Sequence, residues 1–173
     1  MAERSPSDVK NLDQYGNEAL PWSRARDALT NNPAGVGVPY FLGTATPDGR
    51  PHVAGVGAIW IDGALYVVSG PGTRKSRELE ANPACALAAS LPGIDLVFEG
   101  EARRERDPAI LERVAARYRE LGWPVKVEGD AFTAPFTAPS GGPPPWNVYR
   151  LVYHTVFGVG SAEPNGATRW RFV

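Results

Sequence analysis

Gly70-Pro71-Gly72-Thr73-Arg74-Lys75-Ser76-Arg77-Glu78-Leu79-Glu80-Ala81-Asn82-Pro83 stands where a strand gives way to a helix, and its reading decides the fold. The preceding Ala64-Leu65-Tyr66-Val67-Val68-Ser69 is β-branched and aromatic, and Gly-Pro-Gly cannot continue it. The chain therefore turns over Ser69 to Gly72. A helix opening near Thr73 aims unsatisfied backbone N–H groups and the positive end of its dipole at whatever lies beside the turn, and Arg74, Lys75 and Arg77 add cationic donors there. That arrangement suits a phosphate. The plainer alternative is a solvated basic helix face with Thr73 as an ordinary N-cap, and spacing alone leaves both open, since neither a Walker loop nor a dinucleotide fingerprint is present. Leu79 is expected to face inward, and Asn82-Pro83 to stop the helix before a strand over Ala84 to Ser90.

Upstream of the motif the grammar is strands and tight turns: Tyr40 to Thr46, Pro51 to Ile61 and Ala64 to Ser69, separated by Asp48-Gly49 and Asp62-Gly63. These predict an antiparallel meander with the motif at the end of its third member. Downstream, Ala84 to Ser90 and Ile94 to Arg103 flank the turn Leu91-Pro92-Gly93. Asp107-Pro108 then opens a helix with Asp as N-cap and Pro at the first helical position, carrying Ile110, Leu111, Val114, Tyr118 and Leu121 on one face up to Gly122. Gly122 to Asn147 reads as a long Pro, Gly and aromatic loop, a length that points to function or a partner contact. Val148 to Val159 and Thr168 to Val173 read as the last strands. Residues 1–36 are expected to form a polar, flexible arm and a short helix near Trp22 to Leu29, and residues 37–173 the main domain. The fold class is mainly β, an antiparallel barrel of six to seven strands with two or three inserted helices, closed to leave few free edges.

Composition narrows the function. A chain of 173 residues with 43% hydrophobic content can bury one core without disulfide or metal. A net charge of −1 argues against a general nucleic-acid or anionic-membrane binder, so the cations of the motif are local and their target small. Two histidines and one cysteine make no zinc site, and Cys85 reads as a small core residue in a reducing compartment. No apolar run approaches the ~20 residues that span a bilayer, and Met1 to Gly16 is no signal peptide, so the expected location is cytoplasmic.

Three segments taken in order, Thr44-Ala45-Thr46-Pro47-Asp48-Gly49-Arg50-Pro51-His52-Val53, Leu65-Tyr66-Val67-Val68-Ser69 and Gly72 to Leu87, resemble the pyridoxamine phosphate oxidase-like superfamily of split β-barrel flavin and deazaflavin oxidoreductases. The resemblance covers Val38 to Arg103 and, more loosely, Val148 to Phe157. It implies a homodimer with a cofactor in each cleft between subunits. Carried over, Thr73, Arg74, Lys75 and Arg77 become the phosphate contacts, and Val56, Gly57, Ala58, Val68 and Ser69 the neighbours of the ring. Gly55 and Gly57 would let a flat heterocycle approach the strand backbone, although a bulge or barrel bend explains either glycine as well.

Two departures bear on the activity. The second strand carries Ala54, Gly55 and Val56 where the true pyridoxamine phosphate oxidases place an arginine, and Thr168 to Val173 lacks their clamp for pyridoxal, so vitamin B6 oxidation is not expected. The pattern is compatible with the branch that resembles actinobacterial F420-dependent reductases. No Ser-His-Asp or paired-carboxylate constellation is evident, which suits an enzyme whose cofactor carries the chemistry and leaves the catalytic residue unassigned. The leading expectation is hydride transfer between F420 and a small conjugated or apolar substrate, with His52, Trp146 and Tyr149 as candidate substrate contacts. An FMN-dependent oxidoreductase of the same fold is the second reading. A non-catalytic flavin- or haem-binding protein, using His154 or His52 as iron ligand, is the third.

Overall fold

The structure is a computed structural model and describes residues 4–32 and 39–173. The expected boundary between arm and main domain, at 36/37, lies outside the described residues. The chain runs β1 (Asp8–Asn11), α1 (Trp22–Asn31), β2 (Tyr40–Ala45), β3 (Pro51–Val56), β4 (Ala58–Ile61), β5 (Ala64–Ser69), α2 (Arg74–Ala81), β6 (Ala84–Leu91), β7 (Ile94–Arg104), α3 (Pro108–Glu120), β8 (Lys126–Glu128), β9 (Ala131–Thr133), β10 (Asn147–Gly160) and β11 (Ala167–Arg171). Nine strands join one antiparallel sheet in the order β1-β11-β10-β7-β6-β2-β3, with β5 pairing both β4 and β10, while β8 and β9 form a separate hairpin.

The long strand β10 closes this sheet on itself. Asn147 to Leu151 pair with β5, Tyr149 to Gly160 with β7, and Thr155 to Val159 with β11. From β7 the ladder passes through β6 and β2 to β3; there the chain bends at Gly57, and β4 returns to β5. The barrel is split, because β3 and β4 are joined by the chain and not by a ladder. A register shift between Tyr153 and Thr155 leaves His154 as the extra, exposed residue. It resets the alternation, so Leu151 and Tyr153 face inward before it and Val156 and Gly158 after it.

Three features depart from the sequence reading. The expected strand Pro51 to Ile61 divides at Gly57, because its halves serve different partners. Part of the expected flexible arm is β1, which adds to the edge of β11; all four of its residues are exposed, so it carries no apolar alternation to read. The expected loop from Gly122 to Asn147 contains the β8–β9 hairpin, too short for a periodic signal, tied to the residue just before β10 by reciprocal backbone bonds of 2.8 Å between Phe132 and Trp146.

The helices behave as their caps dictate. Thr73 and Asp107 are in extended conformation and accept first-turn N–H groups, from Ser76 and from Ala109 and Ile110 respectively. In α3, Leu111, Val114, Ala115 and Tyr118 are buried, whereas Ile110 is half-buried and Leu121 exposed; Leu121 is the C-cap, beyond the last helical residue Glu120, and Gly122 follows it at φ +88°. Leu20, Ala25 and Leu29 join the barrel residues in one core cluster. Cys85 is half-buried on the core-facing side of β6, and burial pushes its thiol up to about 12. No helix among the described residues is long and apolar enough to cross a membrane.

At Gly100 the backbone of β10 comes so close that an added Cβ would sit 2.2 Å from the Val152 carbonyl oxygen and 2.6 Å from the Tyr153 Cα. Neither can yield without moving the bulge. Gly100→Ala should therefore lower unfolding stability by about 1–3 kcal/mol or more, read from the urea midpoint at unchanged m-value.

Candidate functional site

Strand β5 delivers the chain to the Gly70–Gly72 turn, and α2 begins there. Thr73 Oγ1 donates to the Gly70 carbonyl at 2.9 Å and lies 2.8 Å from Ser69 Oγ, so strand end and helix cap form one polar unit. The loop 138–145 is docked on this unit. Gly70 N–H donates to the Gly141 carbonyl at 2.8 Å, an approach so close that a Cβ on Gly70 would stand 2.3 Å from that oxygen. Trp146 Nε1–H donates to the Gly142 carbonyl at 2.8 Å and secures the far end of the loop.

Lys75 is the unusual cation of the motif. The residue is only 4% exposed, and its ammonium donates to the Ser140 carbonyl, a neutral acceptor. No carboxylate pairs with it among the described residues, and burial holds its pKa below the ordinary lysine value. A charge in that position is poorly compensated. Arg74 and Arg77 are exposed; Arg74 Nε–H donates to Glu78 Oε1 at 2.7 Å and Arg77 to the Gly72 carbonyl.

Two cavities of about 290 Å³ each flank Gly141. One lies at the helix end, between Gly70 to Thr73 and residues 141–145. The other is apolar, walled by Gly57, Val68, Tyr118, Trp123, Phe136 and Trp146. Gly57 opens it, since a Cβ there would meet nothing within 4 Å. Trp146 is fully buried, and its ring packs on Trp123 at 5.3 Å and on Phe136 at 6.2 Å. A flat apolar body in one chamber with an anionic group in the other would span the Gly141 backbone.

Of the residues read from the sequence, the structure brings Gly57, Val68 and Trp146 to the apolar chamber and Thr73 to the one at the helix end; Ser69 pairs with Thr73 and Lys75 with the Ser140 carbonyl, and neither they nor Arg74 and Arg77 line either chamber. Val56 and Ala58 are buried on either side of Gly57. Tyr149 is on β10 but borders a separate recess with Leu79, Pro83 and Arg104. His52 faces Glu78, its Nδ1 lying 3.5 Å from Oε2 without hydrogen-bond geometry. His154 is exposed, 2.9 Å from Thr155 Oγ1.

Two participants escaped the sequence reading. Tyr118, read only as a core residue of α3, lines the apolar chamber, and its buried hydroxyl has no partner among the described residues, with burial raising its pKa. Glu78 is 6% exposed: Oε1 accepts from Arg74 and Oε2 from Thr44 Oγ1–H at 2.5 Å. The i,i+4 spacing of Arg74 and Glu78 was visible, but Thr44 reaches the pair only through the β2–β3 hairpin. No group of three or more metal-ligating side chains among the described residues could hold a metal.

The family model for pyridoxamine 5'-phosphate oxidase matches residues 38–137, and the chain belongs to that family. The match spans β2 to β9, including the turn and α2. Solved structures share the fold at low identity. A pyridoxamine 5'-phosphate oxidase-related, FMN-binding protein from Nostoc punctiforme is 18% identical with TM-score 0.57, over 88% of this chain and 91% of that one. A NimC/NimA family protein from Clostridium acetobutylicum is 18% identical with TM-score 0.54, over 85% and 91%. An F420 reductase is 21% identical with TM-score 0.50, over 75% and 94%. No curated protein matches the chain.

The Thr44 and Arg74 hydrogen bonds hold the Glu78 carboxyl below its ordinary value of 4.5. A depressed carboxyl stabilises the fold at pH above its unfolded value, and that contribution disappears as pH falls through the folded value. The stability advantage of wild type over Glu78→Gln should thus shrink between about pH 6 and about pH 3 in urea titrations. An advantage that stays constant across that range would contradict the assignment.

Proposed function

We propose that this chain is an oxidoreductase that transfers a hydride between F420 and a small conjugated or apolar substrate. The observation that carries the reading is Lys75: a buried ammonium at a helix N-terminus, answered among the described residues by the neutral Ser140 carbonyl and no carboxylate, is a seat for an anion. When bound, the deazaflavin supplies the hydride chemistry. The chain's own residues supply position and dryness. Lys75, Thr73 and the first N–H groups of α2 hold the phosphate, with Arg74, paired to Glu78, and the exposed Arg77 at its rim. Gly57 and Val68 admit the ring to the strand backbone, with Val56, Ala58 and Ser69 beside it. Trp146, Trp123 and Phe136 exclude water, while the Tyr118 hydroxyl offers one hydrogen bond in an apolar wall. His52 and Tyr149 are substrate contacts in this reading only if the substrate extends beyond the apolar chamber.

The second reading is an FMN-dependent oxidoreductase, which the similarity to the FMN-binding Nostoc protein favours. Against it stands β3, whose Ala54, Gly55 and Val56 bring no cation to the site. Fluorescence titration of the protein with F420 and with FMN at one ionic strength separates the two, and binding of neither would remove both. Lys75→Ala should weaken binding of the preferred cofactor by about 1–3 kcal/mol while melting no lower than wild type, because it removes a poorly compensated buried charge. Unchanged affinity would discard the seat.

The partner in this reading is a second copy of the chain. On the outer face of the sheet Phe41 lies opposite Ala88, and Ala88 opposite Val97. Phe41 is 46% exposed, Val97 38% and Val53, on the edge strand β3, 63%. That row fits an isologous contact between two such faces. Sedimentation velocity should show a dimer that Phe41→Asp converts to monomer; monomeric wild type would overturn the arrangement.

A further inference from the structure

The anion seat holds fewer free charges than its sequence suggests. Of the three cations in Thr73 to Arg77, Arg74 is engaged by Glu78 at 2.7 Å, and Glu78 has its other oxygen fixed by the buried Thr44 hydroxyl. Helical side chains tilt toward the N-terminus, so Glu78 holds its charge beside the first turn of α2, one turn beyond Lys75. Its bonds from Thr44 and Arg74 keep it ionised at neutral pH. Arg77 is exposed, and solvent screens it. Lys75 is left as the buried, uncompensated cation.

We propose that Glu78 is a specificity-determining residue of this seat: by neutralising Arg74 it matches the seat to a singly charged phosphodiester and against a doubly charged phosphomonoester. The proposal rests on the reading of the turn as a phosphate seat. A monoester carries close to two negative charges at neutral pH, because its second ionisation lies near pH 6. A diester has no second ionisable oxygen and carries one. Lys75 balances the diester; the second charge of a monoester would face a carboxylate whose partners already hold it in place. The distinction bears on cofactor choice, since the phosphate of F420 is a diester and that of FMN a monoester. His52, across the same carboxylate at 3.5 Å, is the other titratable group against Glu78.

Three ligands with one ring test this in fluorescence titrations of the full chain: the free deazaflavin alcohol, its phosphate monoester, and the methyl diester of that phosphate. Wild type should bind both phosphates more tightly than the alcohol, and the diester more tightly than the monoester. Glu78→Gln should move the diester-to-monoester affinity ratio about fivefold or more toward the monoester. Both phosphates exceeding the alcohol with the ratio unmoved would overturn the role of Glu78 and leave the seat intact. Neither phosphate exceeding the alcohol would remove the seat and the selectivity with it. Arg74→Gln unmasks the Glu78 charge and should move the ratio the other way. It decides the matter should Glu78→Gln fail to fold by circular dichroism, and an unmoved ratio there overturns the proposal equally.

Discussion

The hydrogen-bond demand of β10 organises this molecule. A strand of 14 residues exposes polar backbone along both edges, and here β7 covers one edge while β5 and then β11 cover the other. The bulge at His154 lets a single strand serve both parts, since it resets the inward alternation where the partner changes. Gly100 and Gly158 follow from the same crowding: the first makes room for the β10 backbone, the second for the Trp170 ring. Once β5 is locked to the start of β10, its end at Ser69 must emerge beside Asn147, with the 138–145 loop alongside.

That placement sets the electrostatics of the site. A helix N-terminus on an open surface is solvated and selects little. Here the docked loop takes solvent away from Lys75 and leaves it a carbonyl dipole for a partner. The same loop divides the space beside β5 into a chamber at the helix end, walled by glycines, prolines and Thr73, and an aromatic one under Trp146. The proposed ligand, flat and apolar at one end and anionic at the other, would lie across that division, with Gly141 between its two ends.

Much of the fold was legible because turns and caps act locally. Asp48-Gly49, Asp62-Gly63, Thr73 and Asp107 each declare a chain reversal or a helix start through their own backbone preferences, and the strand Ala64–Ser69 and the cap of α2 lie where those signals place them. The segments that misread share a different property. β1 and the β8–β9 hairpin draw their structure from partners far along the chain, with exposed or very short strands that leave no periodic trace. The continuous strand expected across Gly57 divides for the same reason: only the barrel requires its halves to pair apart.

For the site, the sequence by itself determined the inventory: a strand ending in a Gly-Pro-Gly turn, a threonine cap, three cations in the first helical turn, and two aromatics beyond a proline run. These follow from residue chemistry and i to i+4 geometry, which operate within a few residues. Only the tertiary structure decided which of the cations is buried, which is neutralised, and which aromatics wall the chamber. Lys75 differs from Arg74 because a loop about 65 residues later covers one and a carboxylate held by Thr44 engages the other. Burial and charge pairing depend on what the closed barrel brings alongside, and no local pattern carries that information.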